Sequence, residues 1–155
     1  EHIFEAFYGE TTELMHFRHI NTYGGHPVSA AVSLKNIDIV NEENLPENAA
    51  KMEKYIKNRL SEFADHPFVG DIRGRGLLLG IELVTDKEKK TPVSLAQANG
   101  IIQNCIKEGV FLMRNGNTVP GLGNILIMAP PLILKENEAD QIVDAIGKSL
   151  NKALN

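Results

Sequence analysis

The fold of this chain is decided by the stretch Val69-Gly70-Asp71-Ile72-Arg73-Gly74-Arg75-Gly76-Leu77-Leu78-Leu79-Gly80-Ile81-Glu82-Leu83. Apolar runs on either side of a glycine-rich turn are typical of a β-hairpin. The spacing predicts a strand over Phe68–Ile72, a tight turn over Arg73–Gly76 and a second strand over Leu77–Val84. The two arginines of the turn could bind an anion, but the glycines favour a structural turn, because tight turns need positive φ.

Amphipathic helices are predicted on both sides of this hairpin. The segment from about Glu47 to Phe63 places apolar residues three or four positions apart, which is the spacing of one helical face. Ser94–Glu108 and Glu136–Ala153 show the same spacing further along the chain. Short apolar runs at Val110–Arg114 and Ile125–Ala129 predict two strands between those two helices. The order of elements predicts an α+β fold, with a small, mostly antiparallel sheet and helices packed on it.

The helix that precedes these elements has a different pattern. From Val28 to about Asn41, apolar residues occur almost all round the predicted helix. A helix that is apolar on most faces is typically buried between layers. We therefore expect this helix to be covered on more than one side.

Composition and charge narrow the class of protein. The chain has 155 residues, 43% hydrophobic and 23% charged, as in one globular domain able to bury a core. The net charge of -4 argues against a nucleic-acid or anionic-membrane partner. The single cysteine, Cys105, excludes an internal disulfide and suits a reducing cytoplasm. Because Cys105 lies among isoleucines, we expect a buried structural thiol.

Targeting signals and metal ligands are not predicted. No apolar run approaches the roughly 20 residues that a membrane-spanning helix needs. The N-terminus has neither signal-peptide character nor an initiator methionine, so we expect a piece of a longer cytoplasmic protein. The histidines His16, His19 and His26 match no usual ligand spacing, and no metal site is predicted.

A polar turn rich in glycine precedes the first long helix, and it reads His19-Ile20-Asn21-Thr22-Tyr23-Gly24-Gly25-His26-Pro27. A helix N-terminus offers free N–H donors and a partial positive charge, both of which attract an anion. Thr22 adds a hydroxyl, and Gly24-Gly25 allows backbone to come close to a ligand. The bare pattern could be a phosphate site, but it favours an ordinary glycine turn before a helix.

Three segments, in the same order, resemble the class III (omega) aminotransferases, which depend on pyridoxal phosphate. The first is His-x-x-Thr-x-x-Gly-His-Pro-x-x-x-Ala, beginning at His19. The second is Val69–Leu83, and the third is Met128-Ala129-Pro130-Pro131-Leu132 followed by an acidic helix. The resemblance implies the small C-terminal domain of a fold-type-I pyridoxal-phosphate enzyme over residues 28–155. Residues 1–27 would then be the tail of the large cofactor-binding domain.

The same resemblance implies a cofactor, a partner subunit and an incomplete catalytic site. In this family the Schiff-base lysine lies upstream of the His-x-x-Thr segment, and no lysine precedes Lys35 here. No catalytic residue is therefore assigned, and we expect the chain to be inactive by itself. Thr22 matches the threonine that contacts the phosphate of pyridoxal 5'-phosphate, which in the family it does across a homodimer interface.

The resemblance also implies a substrate class. Arg114, at the end of a predicted strand, resembles the arginine with which omega-transaminases bind a substrate carboxylate; a surface arginine at a strand end is the alternative. Ornithine-type and acetylornithine-type relatives carry an arginine where Ile127 stands, so those substrates are disfavoured. The resemblance therefore predicts transfer of an amino group from an amine or ω-amino acid to a pyruvate-like keto acid.

Two other interpretations stay open. Within the family, the chain could belong to an aminomutase that acts on glutamate semialdehyde. From a different class, it could be a non-catalytic α+β domain for binding or oligomerisation. An in-frame large domain that carries the lysine would separate an enzyme from a free-standing domain.

Overall fold

The computed structural model of the chain describes residues 1–9, 22, 24–116, 119 and 121–153. They form two compact units, Glu1–Ile39 and Val40–Asn155. In the first unit a short helix, α1 (His2–Glu5), carries Phe4, whose ring meets that of Tyr8 edge-on at a centroid distance of 4.9 Å. A domain boundary after Pro27 stays a prediction.

The second unit contains a five-stranded sheet and three helices. Its helices are α3 (Leu45–Leu60), α4 (Leu95–Lys107) and α5 (Glu136–Lys152), and its strands are β1 (Val69–Arg75), β2 (Leu78–Asp86), β3 (Thr91–Pro92), β4 (Met113–Arg114) and β5 (Ile125–Met128). The strands pair in the order β1-β2-β5-β4, with β3 on β2, and every pairing is antiparallel. The predicted α+β architecture is confirmed.

One hydrophobic core joins the sheet to the three helices. On β2, Leu79, Ile81 and Leu83 are buried at alternate positions, as expected for one face of a strand. The predicted apolar stripes of the helices are buried against them: Ala49, Met52, Ile56 and Leu60 on α3, and Ala139, Val143, Ile146 and Leu150 on α5. Each fully buried large apolar side chain contributes about 1.5–3 kcal/mol relative to exposure.

The β1–β2 hairpin forms, but its turn lies further along the chain than predicted. Arg75 pairs with Leu78, which leaves Gly76 and Leu77 as the turn. Gly76 has a φ of +56° and donates its N–H to a carboxylate oxygen of Glu53 on α3, 2.6 Å away. Because this contact with α3 holds the turn at Gly76, residues 73–75 extend the strand.

Helix α4 (Leu95–Lys107) lies within the predicted range Ser94–Glu108, and both of its ends are capped. Ser94 Oγ accepts the N–H of Gln97 at 3.2 Å, and Gln97 Oε1 accepts the N–H of Ser94 at 3.0 Å. This reciprocal pair satisfies two donors at the start of the helix. Gly109, with a φ of +84°, follows its end in the left-handed region. The chain then turns into the segment that leads to β4.

Helix α2 (Pro27–Glu42) forms over the predicted residues but is not buried. Val28, Val32, Leu34 and Ile37 each expose more than half of their surface. A helix that is apolar on most faces needs a packed layer on more than one side. The described part of the chain provides no such cover, so the predicted burial of this helix is not observed.

Helix α5 packs against Phe63, which lies in the short 3-10 turn Ser61–Phe63 after α3, and this contact predicts that a glycine-to-alanine substitution in α5 is destabilising. A methyl group at Gly147 would lie 2.7 Å from Cε1 of Phe63. Gly147→Ala should therefore lower the free energy of unfolding by about 1–3 kcal/mol, although alanine is the better helix former. The matched control is Gly100→Ala on α4, where nothing in the described part of the chain lies within 4 Å. That control should raise it by about 0.5–1 kcal/mol.

Urea unfolding of the two variants measures both effects. A Gly147→Ala variant as stable as the Gly100→Ala variant would contradict the close packing of Phe63 on α5. Combining Gly147→Ala with Phe63→Leu should recover part of the loss, because the smaller side chain frees space beside the new methyl group.

Candidate functional site

Arg114 lies at the end of β4, opposite Leu126 of β5, and is partly buried. Its guanidinium reaches from the sheet to helix α4. Nε donates a hydrogen bond to Oδ1 of Asn99 over 2.9 Å, and Nη1 donates to the carbonyl oxygen of Asn115 over 3.0 Å. Both acceptors are neutral, so the guanidinium is held in a defined position without a counterion among the described residues.

The surroundings of Arg114 differ from those of the other arginines in the described part of the chain. Arg59, Arg73 and Arg75 each have a carboxylate oxygen within 3.9 Å. Among the same residues, no carboxylate lies within ion-pair distance of Arg114. A partly buried cation without a carboxylate partner is suited to bind an anion, because an incoming carboxylate does not have to displace an existing ion pair.

The hairpin arginines, which were the other anion-binding candidates, are arranged differently. Arg73 donates to Asp71 over 2.8 Å and to Glu82 over 2.6 Å, and these hydrogen bonds raise the pKa of its guanidinium. Arg75 is 98% exposed and 3.9 Å from an oxygen of Glu53. Arg73 is therefore paired with carboxylates of the sheet. This agrees with the structural role that the sequence favoured for this segment.

The loop that follows Arg114 is tied at both ends. Asn115 Nδ2 donates to the carbonyl oxygen of Leu122 over 2.7 Å, and Asn115 Oδ1 accepts the N–H of Ile125 at 2.9 Å. Asn124 is buried, and its Nδ2 donates to the carbonyl oxygen of Leu83 over 2.8 Å. These contacts fix the base of the loop over residues 115–124, of which residues 117, 118 and 120 lie outside the described part.

Gly123 provides the space that the guanidinium occupies. A methyl group there would lie 2.7 Å from Nη1 of Arg114 and would also meet the side chain of Leu95. Neither Asn99 nor Asn115 was singled out from the sequence. Nothing in the sequence around Asn99 marks it, since the neighbouring Gly100 is an even weaker helix former.

Thr22 lies in an exposed turn of the first unit, ahead of α2. Gly25 has a φ of +84°, and nothing in the described part of the chain lies within 4 Å of the position its Cβ would take. At the start of α2, His26 Nδ1 accepts the N–H of Ser29 at 3.5 Å. A hydroxyl, open backbone and a helix N-terminus are groups that fit a phosphate. Residues 19–21 and 23 of the motif, His19 among them, lie outside the described residues.

Four other sequence expectations concern residues outside this turn. Ile127, on β5 between Gly80 and Met113, offers no donor for a carboxylate. Cys105 is buried, with its Sγ 3.3 Å from Oγ of Ser149, and burial raises the pKa of the thiol. Its structural role is as predicted. Among the described residues, no cluster of three His, Cys, Asp or Glu side chains could hold a metal ion, and no helix could span a bilayer.

Comparison with known proteins relates this chain to aminotransferases. It is 40% identical to the uncharacterized aminotransferase YhxA of Bacillus subtilis over 95% of this chain and 32% of that protein. It is 36% identical to taurine–pyruvate aminotransferase of Rhodobacter capsulatus over 98% of this chain and 34% of that protein. The chain thus spans about a third of the length of these curated relatives.

Solved structures give the same relationship. An aminotransferase of Bacillus anthracis matches with a TM-score of 0.85 and 41% identity, covering 98% of this chain and 34% of that structure. An amine transaminase of an uncultivated Pseudomonas species, in its PLP-bound form, matches with a TM-score of 0.78 and 33% identity over 88% of this chain and 30% of that structure. Because the sequence model described as Aminotransferase class-III also matches residues 3–150, this chain belongs to the class III aminotransferase family.

Proposed function

We propose that this chain is the C-terminal portion of a pyridoxal-phosphate-dependent aminotransferase that acts as a homodimer. The complete enzyme transfers an amino group from an amine or ω-amino acid to a pyruvate-like keto acid. Taurine–pyruvate aminotransferases and a putrescine–pyruvate aminotransferase of Pseudomonas aeruginosa, among the relatives, support this substrate class.

The observation that carries the substrate assignment is the uncompensated charge of Arg114. Its guanidinium is held by the neutral oxygens of Asn99 and Asn115 at 2.9 and 3.0 Å. Nη2 has no hydrogen-bond partner in the described part of the chain. A planar guanidinium matches a carboxylate through two parallel hydrogen bonds, and Arg114 is thus proposed to bind the carboxylate of the keto acid.

The cofactor assignment rests on the family and on the turn before α2. When bound, pyridoxal phosphate holds the amino group between the two half-reactions. Thr22 is proposed to donate its hydroxyl to the cofactor phosphate of the partner subunit. No described residue lies within 4 Å of the position that a Cβ at the neighbouring Gly25 would take, which supports close approach of a ligand. The lysine that binds the cofactor covalently is proposed to lie outside this chain, in the large domain.

An assay of the complete enzyme and of the isolated chain tests this function. The complete enzyme should transfer amino groups from taurine, putrescine or a related amine to pyruvate, and ornithine and acetylornithine should be poor donors. The chain by itself should show no turnover with pyridoxal phosphate added. Conversion of glutamate semialdehyde without a keto acid would instead identify the aminomutase, and inactivity of the complete protein on the whole panel would favour a non-catalytic domain.

Replacing Thr22 tests the cofactor contact. Thr22→Ala in the complete dimer should weaken cofactor retention roughly ten- to a hundredfold, because one charge-assisted hydrogen bond of about 1.5–3 kcal/mol is lost. The control is Ser33→Ala, since the Ser33 hydroxyl is already committed to the carbonyl oxygen of Ser29 at 2.8 Å. Cofactor release is followed by its absorbance. Equal retention in both variants would leave Thr22 with only a structural role in the turn.

A further inference from the structure

The residues that hold Arg114 share one chemical property, which is that none is charged. Asn99 and Asn115 satisfy Nε and Nη1 through an amide oxygen and a carbonyl oxygen. In contrast, Arg59 pairs with Asp140 and with Asp144, and Arg73 pairs with two carboxylates. Among the described residues, Arg59 and Arg73 therefore form ion pairs, whereas Arg114 has no counterion.

Of the two residues that accept hydrogen bonds from Arg114, Asn99 is the one that lies outside the loop following β4. It lies on α4, fifteen residues before Arg114, and is exposed apart from its contact with the guanidinium. Asparagine is a weak helix former, so local helix stability does not account for it. Aspartate has nearly the same size and shape, and at this position it would form a charge-assisted pair with Nε.

We infer that Asn99 is a positioning residue whose neutral side chain determines whether Arg114 can accept a substrate carboxylate. The amide orients the guanidinium through Nε and leaves Nη2 and the remaining N–H of Nη1 for a ligand. A carboxylate at residue 99 would supply the counterion from within the chain and compete with the keto acid. This inference rests on the proposed function, because it assumes that Arg114 binds the acceptor.

Gly123 is the second part of the arrangement. The guanidinium passes so close to Gly123 that a methyl group there would lie 2.7 Å from Nη1. The backbone at Gly123 is not in the left-handed region, so alanine can be accommodated there once the ends of the Arg114 and Leu95 side chains move. Gly123→Ala therefore displaces the guanidinium without changing any charge.

Three substitutions in the complete enzyme test the inference. Asn99→Asp should raise the KM for pyruvate about ten- to a hundredfold, the range of one charge-assisted hydrogen bond. Asn99→Ala removes the support without adding a counterion, and it should raise this KM about two- to tenfold, as for a neutral hydrogen bond. Gly123→Ala should also raise it, because the guanidinium moves. With an aldehyde acceptor that lacks a carboxylate, kcat and KM should be unchanged in Asn99→Asp.

The control variant is Asn104→Asp, which adds the same charge to α4 five residues further on. Arg114 forms its hydrogen bonds with Asn99 and Asn115, and none with Asn104. If Asn99→Asp raises the KM for pyruvate no more than Asn104→Asp or Asn99→Ala does, the inference is overturned. If Arg114→Ala itself leaves this KM unchanged, the proposed carboxylate contact fails instead. A rise with Arg114→Ala but none with Asn99→Asp rejects the role of Asn99 alone.

Discussion

Replacing Arg114 by alanine in the complete enzyme should raise the KM for a pyruvate-like acceptor about thirty- to several-thousandfold, corresponding to about 2–5 kcal/mol. The size of the effect follows from the loss of a bidentate, partly desolvated contact between a guanidinium and a carboxylate. The half-reaction with an amine that lacks a carboxylate should change little, because that donor offers nothing for Arg114 to bind.

Separate measurement of the two half-reactions distinguishes this role from a general loss of folding. Arg75→Ala is the matched control, since Arg75 is 98% exposed and lies in the same sheet. It should leave both half-reactions near their original rates. An equal fall of both half-reactions in Arg114→Ala, or no change in either, would show that Arg114 does not bind the acceptor carboxylate.

The second large effect is expected at Gly74 in the β1–β2 hairpin. Gly74 has a φ of +147°, and a methyl group there would meet the backbone carbonyl oxygen of Leu78 and lie 2.7 Å from Cα of Leu79. These are backbone atoms of the paired strand, which cannot rotate away. Gly74→Ala should therefore lower the free energy of unfolding by about 2–5 kcal/mol, a large part of the 5–15 kcal/mol typical of a domain.

Gly76→Ala in the same hairpin separates backbone strain from this clash. Gly76 also has positive φ, at +56°, but its nearest neighbour would be Cβ of Ala49 at 3.9 Å. Only the conformational cost of about 1 kcal/mol is expected there. Urea unfolding of both variants at equal protein concentration gives the comparison. Similar losses in the two would mean that strand pairing opens around Gly74 and relieves the contact.

The hairpin also shows where prediction from local sequence stops. The apolar runs on either side of the glycine-rich turn correctly indicated two antiparallel strands. The position of the turn was two residues off. Gly74 and Gly76 are equally suited to a turn by their local sequence. The turn forms at Gly76 because Glu53, on helix α3, accepts the N–H of Gly76.

The burial of helix α2 is a second property that local sequence did not predict. Its apolar residues correctly predicted a helix, since helix formation depends on residues three and four positions apart. Whether such a helix is buried depends on what packs on it, and α2 has no buried residue in the described chain. Apolar patterning thus predicted the element but not its environment.

The sequence by itself determined the α+β class, the presence of helix α4, the buried stripes of α3 and α5, and the family, because these depend on periodicity and short motifs. It also singled out Arg114. Only the tertiary structure decided that Arg114 is held by neutral oxygens, since Asn99 reaches it from another element. The space for the guanidinium is likewise provided by Gly123 at the far end of a loop. Charge compensation depends on distances between side chains that are remote in sequence, and folding sets those distances.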